Sequence, residues 1–192
     1  MKVCVYCASS PRIDKKYFDA AEKLANEFIQ NKIEVVFGGG SSGLMGKIAD
    51  VIIQNGGKIR GIMPRFMNEV EWAHKGVTDF IFTDTMHERK AKFLDGIDAI
   101  TALPGGTGTL EELLEAITLK RLGKFNKPII ILNTNGYYNP LKQMLNKCVE
   151  ENFMNSKHLS LWCFVDEPHE VIPAIKSAQT WDSDAIHFAR ND

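Results

Sequence analysis

The sequence predicts a doubly wound α/β domain, a parallel sheet with helices packed on both faces. Three observations predict it. Strand-like and helix-like segments alternate along the patterned part of the chain. Two strand candidates, Val35-Val36-Phe37 and Ile129-Ile130-Ile131-Leu132, are apolar without interruption, as befits strands buried on both faces of a parallel sheet. Two glycine-rich runs each follow an apolar strand and open a helix, at the edge where such sheets bind ligands.

Taken in order, the chain opens with a strand over 2–8, and Met1-Lys2-Val3-Cys4-Val5-Tyr6 reads as part of that strand rather than as a signal peptide. A helix over 15–30 carries Phe18, Ala21, Leu24, Ala25 and Phe28 at the 3.6-residue spacing of one buried stripe. A strand over 34–37 runs into Gly38-Gly39-Gly40-Ser41-Ser42-Gly43-Leu44-Met45-Gly46, and a helix follows over 44–54. After a strand over 58–63, the connection 64–78 breaks the alternation with Phe66, Met67, Glu69, Glu71, Trp72 and His74. It is expected to hold a short helix covering the sheet or a partner subunit, and long connections of this kind often carry function. A strand over 79–83 leads to a helix over 86–95 that opens His87-Glu88-Arg89-Lys90. A strand over 99–103 leads to Pro104-Gly105-Gly106-Thr107-Gly108-Thr109-Leu110-Glu111-Glu112 and a helix over 110–122. Strands over 128–132 and 161–165 alternate with helices over 140–151 and 168–178. The whole is one domain over 1–180, with 181–192 as a less patterned tail.

Composition narrows the function. With 23 basic and 24 acidic residues the net charge is −1, so no polyanion partner is implied and nucleic acid is not expected. No run approaches the ~18 apolar residues of a membrane helix. Cys4 and Cys7 form a lone CxxC, but residues three apart on a strand point to opposite faces, and no second pair completes a zinc site. The four cysteines read as reduced, mostly buried residues of a cytoplasmic protein. The histidines are scattered, so no metal is expected.

The two glycine runs carry the chemistry. A strand–glycine loop–helix junction offers free backbone N–H groups and the positive end of a helix dipole, which suit phosphate. Gly38-x-Gly40-x-x-Gly43 matches a dinucleotide fingerprint, making Gly38, Gly39, Gly40, Ser41 and Gly43 a candidate phosphate loop. The fingerprint also wants an acidic residue at the end of the next strand. Ile62-Met63-Pro64-Arg65 has none, which argues against a nicotinamide cofactor. Neither run ends Gly-Lys-Ser/Thr, so the chain is not a P-loop nucleotidase, and no Gly-x-Ser-x-Gly elbow supports a serine hydrolase.

The second run is sharper. Thr109-Leu110-Glu111-Glu112 fits a capping box with Thr109 as N-cap and Glu112 at the third helical position. A plain cap does not need the three glycines before it. A carboxylate held ionised by a helix N-terminus either stabilises an oxocarbenium-like transition state or orients a water, and both roles stay open. His87-Glu88-Arg89-Lys90 is either a solvated charged face or, on the ligand edge, a grip on phosphate or nucleobase through Arg89 with Lys90 adding charge.

These three motifs, with Lys127-Pro128 and Gly136-Tyr137-Tyr138 after them, resemble the LONELY GUY (LOG) family of cytokinin riboside 5′-monophosphate phosphoribohydrolases from Val3 to about Glu151. The resemblance implies a Rossmann-like homodimer without a cofactor. It would hydrolyse the N-glycosidic bond of adenosine monophosphates, N6-modified or AMP itself, to free base and ribose 5-phosphate. It places the catalytic arginine and glutamate on Arg89 and Glu112. Substrate contacts fall on Glu71, Lys90, Gly105, Gly106, Thr107, Gly108, Thr109, Leu110, Glu111 and Thr118. The old lysine decarboxylase label of some relatives finds no Schiff-base lysine here. The rival from another class is a non-catalytic carrier of a nucleotide or of molybdenum cofactor, which needs the glycine loop but not the carboxylate.

Overall fold

The computed structural model describes residues 1–69 and 72–181. Seven parallel strands form one sheet: β1 (Lys2–Tyr6), β2 (Glu34–Phe37), β3 (Ile59–Pro64), β4 (Asp79–Thr83), β5 (Ala99–Ala102), β6 (Ile129–Leu132) and β7 (Cys163–Val165). Their order is β4-β3-β2-β1-β5-β6-β7. Chain order therefore reverses between β1 and β5, and the loops leaving these two strands part to opposite faces. The crevice between such loops is the ligand position of a doubly wound sheet.

Six α-helices cover the sheet among the described residues: α1 (Lys15–Gln30), α2 (Gly43–Gln54), α3 (Met86–Leu94), α4 (Thr107–Arg121), α5 (Asn139–Glu150) and α6 (Val171–Ser177). Alternation along β1 sorts the core. Val3 and Val5 pack into one cluster with Leu24 and Phe28 of α1, Ile48 and Ile52 of α2 and Ile172 of α6. Cys4 and Tyr6 enter the other, with Phe93 of α3, Leu113 and Ile117 of α4 and Leu145 of α5. The expected stripe on α1 is buried as Ala21, Leu24, Ala25 and Phe28, with Phe18 half-buried at its margin.

Element limits differ from expectation by a residue or two at most places, and three departures are informative. β1 ends at Tyr6, so Cys7 lies just beyond it, in the opposite core cluster from Cys4. The last helix is two pieces, a 3₁₀ turn over Pro168–Glu170 and then α6. In the 64–78 connection the helix is a 3₁₀ turn over Arg65–Glu69, and Phe66 and Trp72 are exposed instead of covering the sheet. Of the four cysteines, expected to be mostly buried, Cys4 and Cys7 are buried, Cys148 is half-buried and Cys163 is exposed. Residues 182–192 of the expected tail lie outside the described residues; Trp181 is half-buried with its ring centroid 6.3 Å from that of His158.

Candidate active site

The helix of the second glycine run starts earlier than the sequence predicts. Gly106 is its N-cap, and Thr107, Gly108 and Thr109 form the first turn of α4. Thr109 is therefore not the cap, and the expected capping box with Glu112 does not form. The reason is that glycine itself ranks among good N-cap residues, so the chain can turn into the helix at the last free glycine. The consequence is chemical. Among the described residues no side chain caps this terminus. Among the described residues no acceptor meets the N–H groups of Thr107, Gly108 and Thr109. A 15-residue helix thus aims its positive end and an open row of amides at the crevice.

Glu111 and Glu112 lie further up α4 and, one residue apart on a helix, point about 100° from each other. Glu112 turns inward. Its Oε1 lies 2.9 Å from Nη1 of Arg89, and both side chains are nearly out of solvent. Arg89 is the fourth residue of α3, a helix capped by Thr85, whose hydroxyl accepts the Glu88 N–H at 3.1 Å. The guanidinium also donates from Nε to the Ile62 carbonyl at 3.1 Å, and stands 4.7 Å from the centroid of the Phe93 ring. Arg89 is thus neither a solvated surface charge nor a freely swinging fork. A β-carbon at Gly38 would sit 2.7 Å from its Nη2, so the first glycine of the first run makes the slot for the arginine.

Beneath the pair, burial raises the pKa of Cys4, with Glu112 adding to it. Burial likewise raises that of Tyr6, with Cys4 and then Glu112 adding to it. Both stay protonated.

Lys90 and Glu111 point away from the pair. Lys90 Nζ bonds Glu111 and also lies 3.0 Å from Glu115. These two hydrogen bonds, Glu111 first, raise its pKa. Thr118 stands on the same outer side of α4, with its hydroxyl donating to the Leu114 carbonyl at 2.8 Å. An open groove runs past Lys90, Thr107, Leu110, Glu111, Leu114 and Thr118.

The crevice itself is a cavity of about 340 Å³. It gathers Gly38, Arg89, Gly106, Thr107, Gly108, Thr109, Glu111 and Glu112 of the expected residues. Gly105 lies behind it, under Thr109, and Glu71 lies outside the described residues. Ala8, Ser9 and Ser10 also line it, as expected for the loop after the first strand, which the sequence places on the ligand edge; Met45, Met67 and Met86 were not singled out as lining residues. The loop after β1 borders the switch point because β1 is central.

In the first glycine run four amides, those of Ser41, Leu44, Met45 and Gly46, are bonded to backbone carbonyls. The Ala8 carbonyl accepts the Leu44 and Met45 N–H groups at 2.9 and 3.3 Å. The Gly46 N–H donates to the Ser42 carbonyl at 3.1 Å, and that of Ser41 to the Trp72 carbonyl at 3.0 Å. At Gly43, φ is +62° and a β-carbon would lie 2.5 Å from the Ser9 carbonyl carbon. These glycines serve a tight backbone crossing.

A family model described as "Possible lysine decarboxylase" matches residues 45–175. The Arabidopsis thaliana cytokinin riboside 5′-monophosphate phosphoribohydrolase LOG4 is 37% identical over 201 residues, covering 100% of this chain and 94% of that protein. LOG3 of the same plant is 43% identical over 154 residues, covering 80% and 72%. A probable rice enzyme of the same description, LOGL2, is 36% identical over 99% of this chain and 82% of its own length. Among solved structures, the molybdenum cofactor binding protein of Rippkaea orientalis superposes with a TM-score of 0.68 at 21% identity, over 92% of this chain and 95% of that one. The molybdenum cofactor carrier protein of Chlamydomonas reinhardtii gives 0.69 at 18%, over 92% and 96%. At these identities the two structures share the fold with this chain.

Proposed function

This chain belongs to the LONELY GUY family of cytokinin riboside 5′-monophosphate phosphoribohydrolases, and from that premise we propose how its cleft hydrolyses an adenosine monophosphate to free base and ribose 5-phosphate. The observation that carries the reading is the buried Arg89–Glu112 pair set beside an open row of amides at the start of α4. The phosphate sits on the N–H groups of Gly106 to Thr109, where the helix dipole favours an anion. The ribose then lies over Glu112, one and a half turns along the same helix. As the C1′–N bond breaks, positive charge develops at C1′ and a fixed carboxylate stabilises it. Water adds to C1′ and the base leaves with a proton. Arg89 does not need to meet the substrate to matter: its bond from Nη1 fixes the carboxylate, and its own bond to Ile62 fixes the guanidinium.

Met45, Met67 and Met86 supply flexible apolar walls to the cavity, which suits a purine carrying an alkyl group on N6 better than a bare polar edge would. Lys90 and Thr118 act from the outer groove, where Lys90 reaches a ligand only by giving up Glu111 or Glu115. Large exposed apolar side chains, Phe66, Trp72, Phe82, Met86 and Leu114, stand on the elements framing the cleft and support a homodimer. Among the described residues no helix is long and apolar enough to cross a membrane, and four free thiols suit the reducing cytoplasm.

Two other readings fit less well. A carrier of nucleotide or molybdenum cofactor has no use for a carboxylate locked against a buried arginine. A lysine decarboxylase needs an amine of lowered pKa in the cleft, but that of Lys90 is raised by its carboxylate partners. Lys120, which burial lowers to about 8, faces a separate cavity beside Ile129 and Trp162.

Chromatography of products from AMP and from isopentenyl-AMP tests the reading. Free base and ribose 5-phosphate are expected from both, faster from the N6-substituted nucleotide. Intact nucleotide, or nucleoside with released phosphate, contradicts it.

A further inference from the structure

The open amide row of α4 is braced from behind. Three successive carbonyls of its loop each accept a hydrogen bond: Leu103 from the Tyr138 hydroxyl at 2.7 Å, Pro104 from the Ala8 N–H at 3.2 Å, and Gly105 from the Tyr137 hydroxyl at 2.7 Å. In a trans peptide the carbonyl of one residue and the N–H of the next point in opposite directions. Drawing the Gly105 carbonyl toward Tyr137 therefore turns the Gly106 N–H away from it, toward the side on which Gly106 lines the cavity. Among the described residues no acceptor meets that N–H.

This peptide needs a brace. Gly105 and Gly106 are joined by it, and a β-carbon at Gly106 would touch nothing within 4 Å. The freedom that lets this backbone approach a phosphate also lets the peptide rotate out of register. The brace itself is built carefully. Asn135 and Gly136, at φ +55° and +72°, swing the chain after β6 back over the loop. Asn133 locks the turn: its Oδ1 accepts the Tyr138 N–H at 2.7 Å, and its Nδ2 donates to Asn139 at 2.9 Å and to Asp166 at 3.1 Å. The two tyrosine rings meet edge to face, and Tyr17 of α1 meets Tyr137 from the other side.

We propose that Tyr137 is a positioning residue: its hydroxyl fixes the Gly105–Gly106 peptide so that the Gly106 N–H joins those of Thr107, Gly108 and Thr109 on the substrate phosphate. It acts through that peptide, outside the cavity. The proposal rests on the phosphoribohydrolase reading above and adds to it a residue that controls phosphate affinity from the second layer.

The two tyrosines differ in a way that makes the test clean. Tyr138 is 1% exposed and Tyr137 41% exposed. Tyr138→Phe leaves a buried carbonyl without its donor and lowers the unfolding temperature. Tyr137→Phe keeps an exposed ring and is expected to unfold within a degree or two of the wild type. Calorimetric titration with ribose 5-phosphate and with adenine then separates the roles. Tyr137→Phe should weaken ribose 5-phosphate about tenfold, the loss of roughly one well-aimed hydrogen bond, and leave adenine unchanged. In kinetics KM should rise more than kcat falls. Equal affinity of variant and wild type for ribose 5-phosphate overturns the proposal and leaves the reading of the site standing. An equal loss for both ligands also overturns it, by making Tyr137 a general structural support. A wild type with no affinity for ribose 5-phosphate overturns the reading and the proposal together.

Discussion

Two glycine runs in this chain have the same sequence logic and opposite roles. Both follow a central strand, both open a helix, and both would pass as phosphate loops. In the run over 38–46 the Leu44 and Met45 amides share the single carbonyl of Ala8, and that of Gly46 donates to Ser42. In the second loop the Leu103 and Gly105 carbonyls are held from behind, and the amides from Gly106 to Thr109 face open space. The difference teaches that glycine content says where backbone comes close to something, and not what that something is. In the first run it is backbone and the Arg89 side chain. In the second, on the function proposed above, it is a ligand. The two still act on one site, since Gly38 admits the arginine that holds the glutamate at the second.

Substitutions can break or sharpen this contrast. The largest effect is expected at Glu112→Gln, where the near-isosteric change keeps the contact with Arg89 and removes the charge. Turnover should fall about 10³-fold, roughly 4 kcal/mol of transition-state stabilisation, with substrate binding retained. Next is Gly43→Ala, which forces a side chain onto φ +62° and against the Ser9 backbone. A loss of about 3 kcal/mol in denaturant unfolding is expected, and a neutral result would show that the first crossing is loose. Gly38→Ala should act on chemistry more than on folding. Displacing Arg89 from its slot lowers kcat by about 30-fold, roughly 2 kcal/mol, with a smaller change in unfolding.

Gly106→Ala is the opposite of Gly43→Ala. φ at Gly106 is −84° and nothing lies within 4 Å, so stability should hold while a methyl group intrudes on the phosphate. KM should rise about tenfold, near 1.4 kcal/mol. The smallest effect belongs to a residue remote from both runs. Burial lowers the Lys120 pKa from 10.5 to about 8, so the unfolded chain binds the proton more tightly. Its charge therefore costs stability below pH 8, and the cost fades as pH rises from about 8 toward 10.5. Lys120→Met should stabilise the protein by about 1 kcal/mol at pH 7 and flatten unfolding free energy across that window, with activity unchanged.

Most of the fold was legible because its signals are local. Unbroken apolar strands and one apolar stripe on α1 state burial directly, and the limits of β2, β4 and α1 agree with those read from the sequence. What escaped depends on three dimensions. The α4 start moved from Leu110 to Thr107 because a glycine cap and a threonine cap compete in one stretch, and only the amide partners decide. That Lys90 would be held by Glu111 and Glu115 required knowing that α3 and α4 lie side by side. The fate of the first run was hidden for the same reason. Ala8 is over 30 positions from Leu44, and no spacing rule links them.

The central claim is that phosphate binds at the second run and not at the first. Titrating ¹⁵N-labelled protein with ribose 5-phosphate and following the backbone amides tests it most directly. The largest shifts are expected at Gly106, Thr107, Gly108 and Thr109, with Ser41, Leu44 and Met45 nearly still. Saturable shifts led by Ser41 to Met45, with the amides of α4 unmoved, would contradict it.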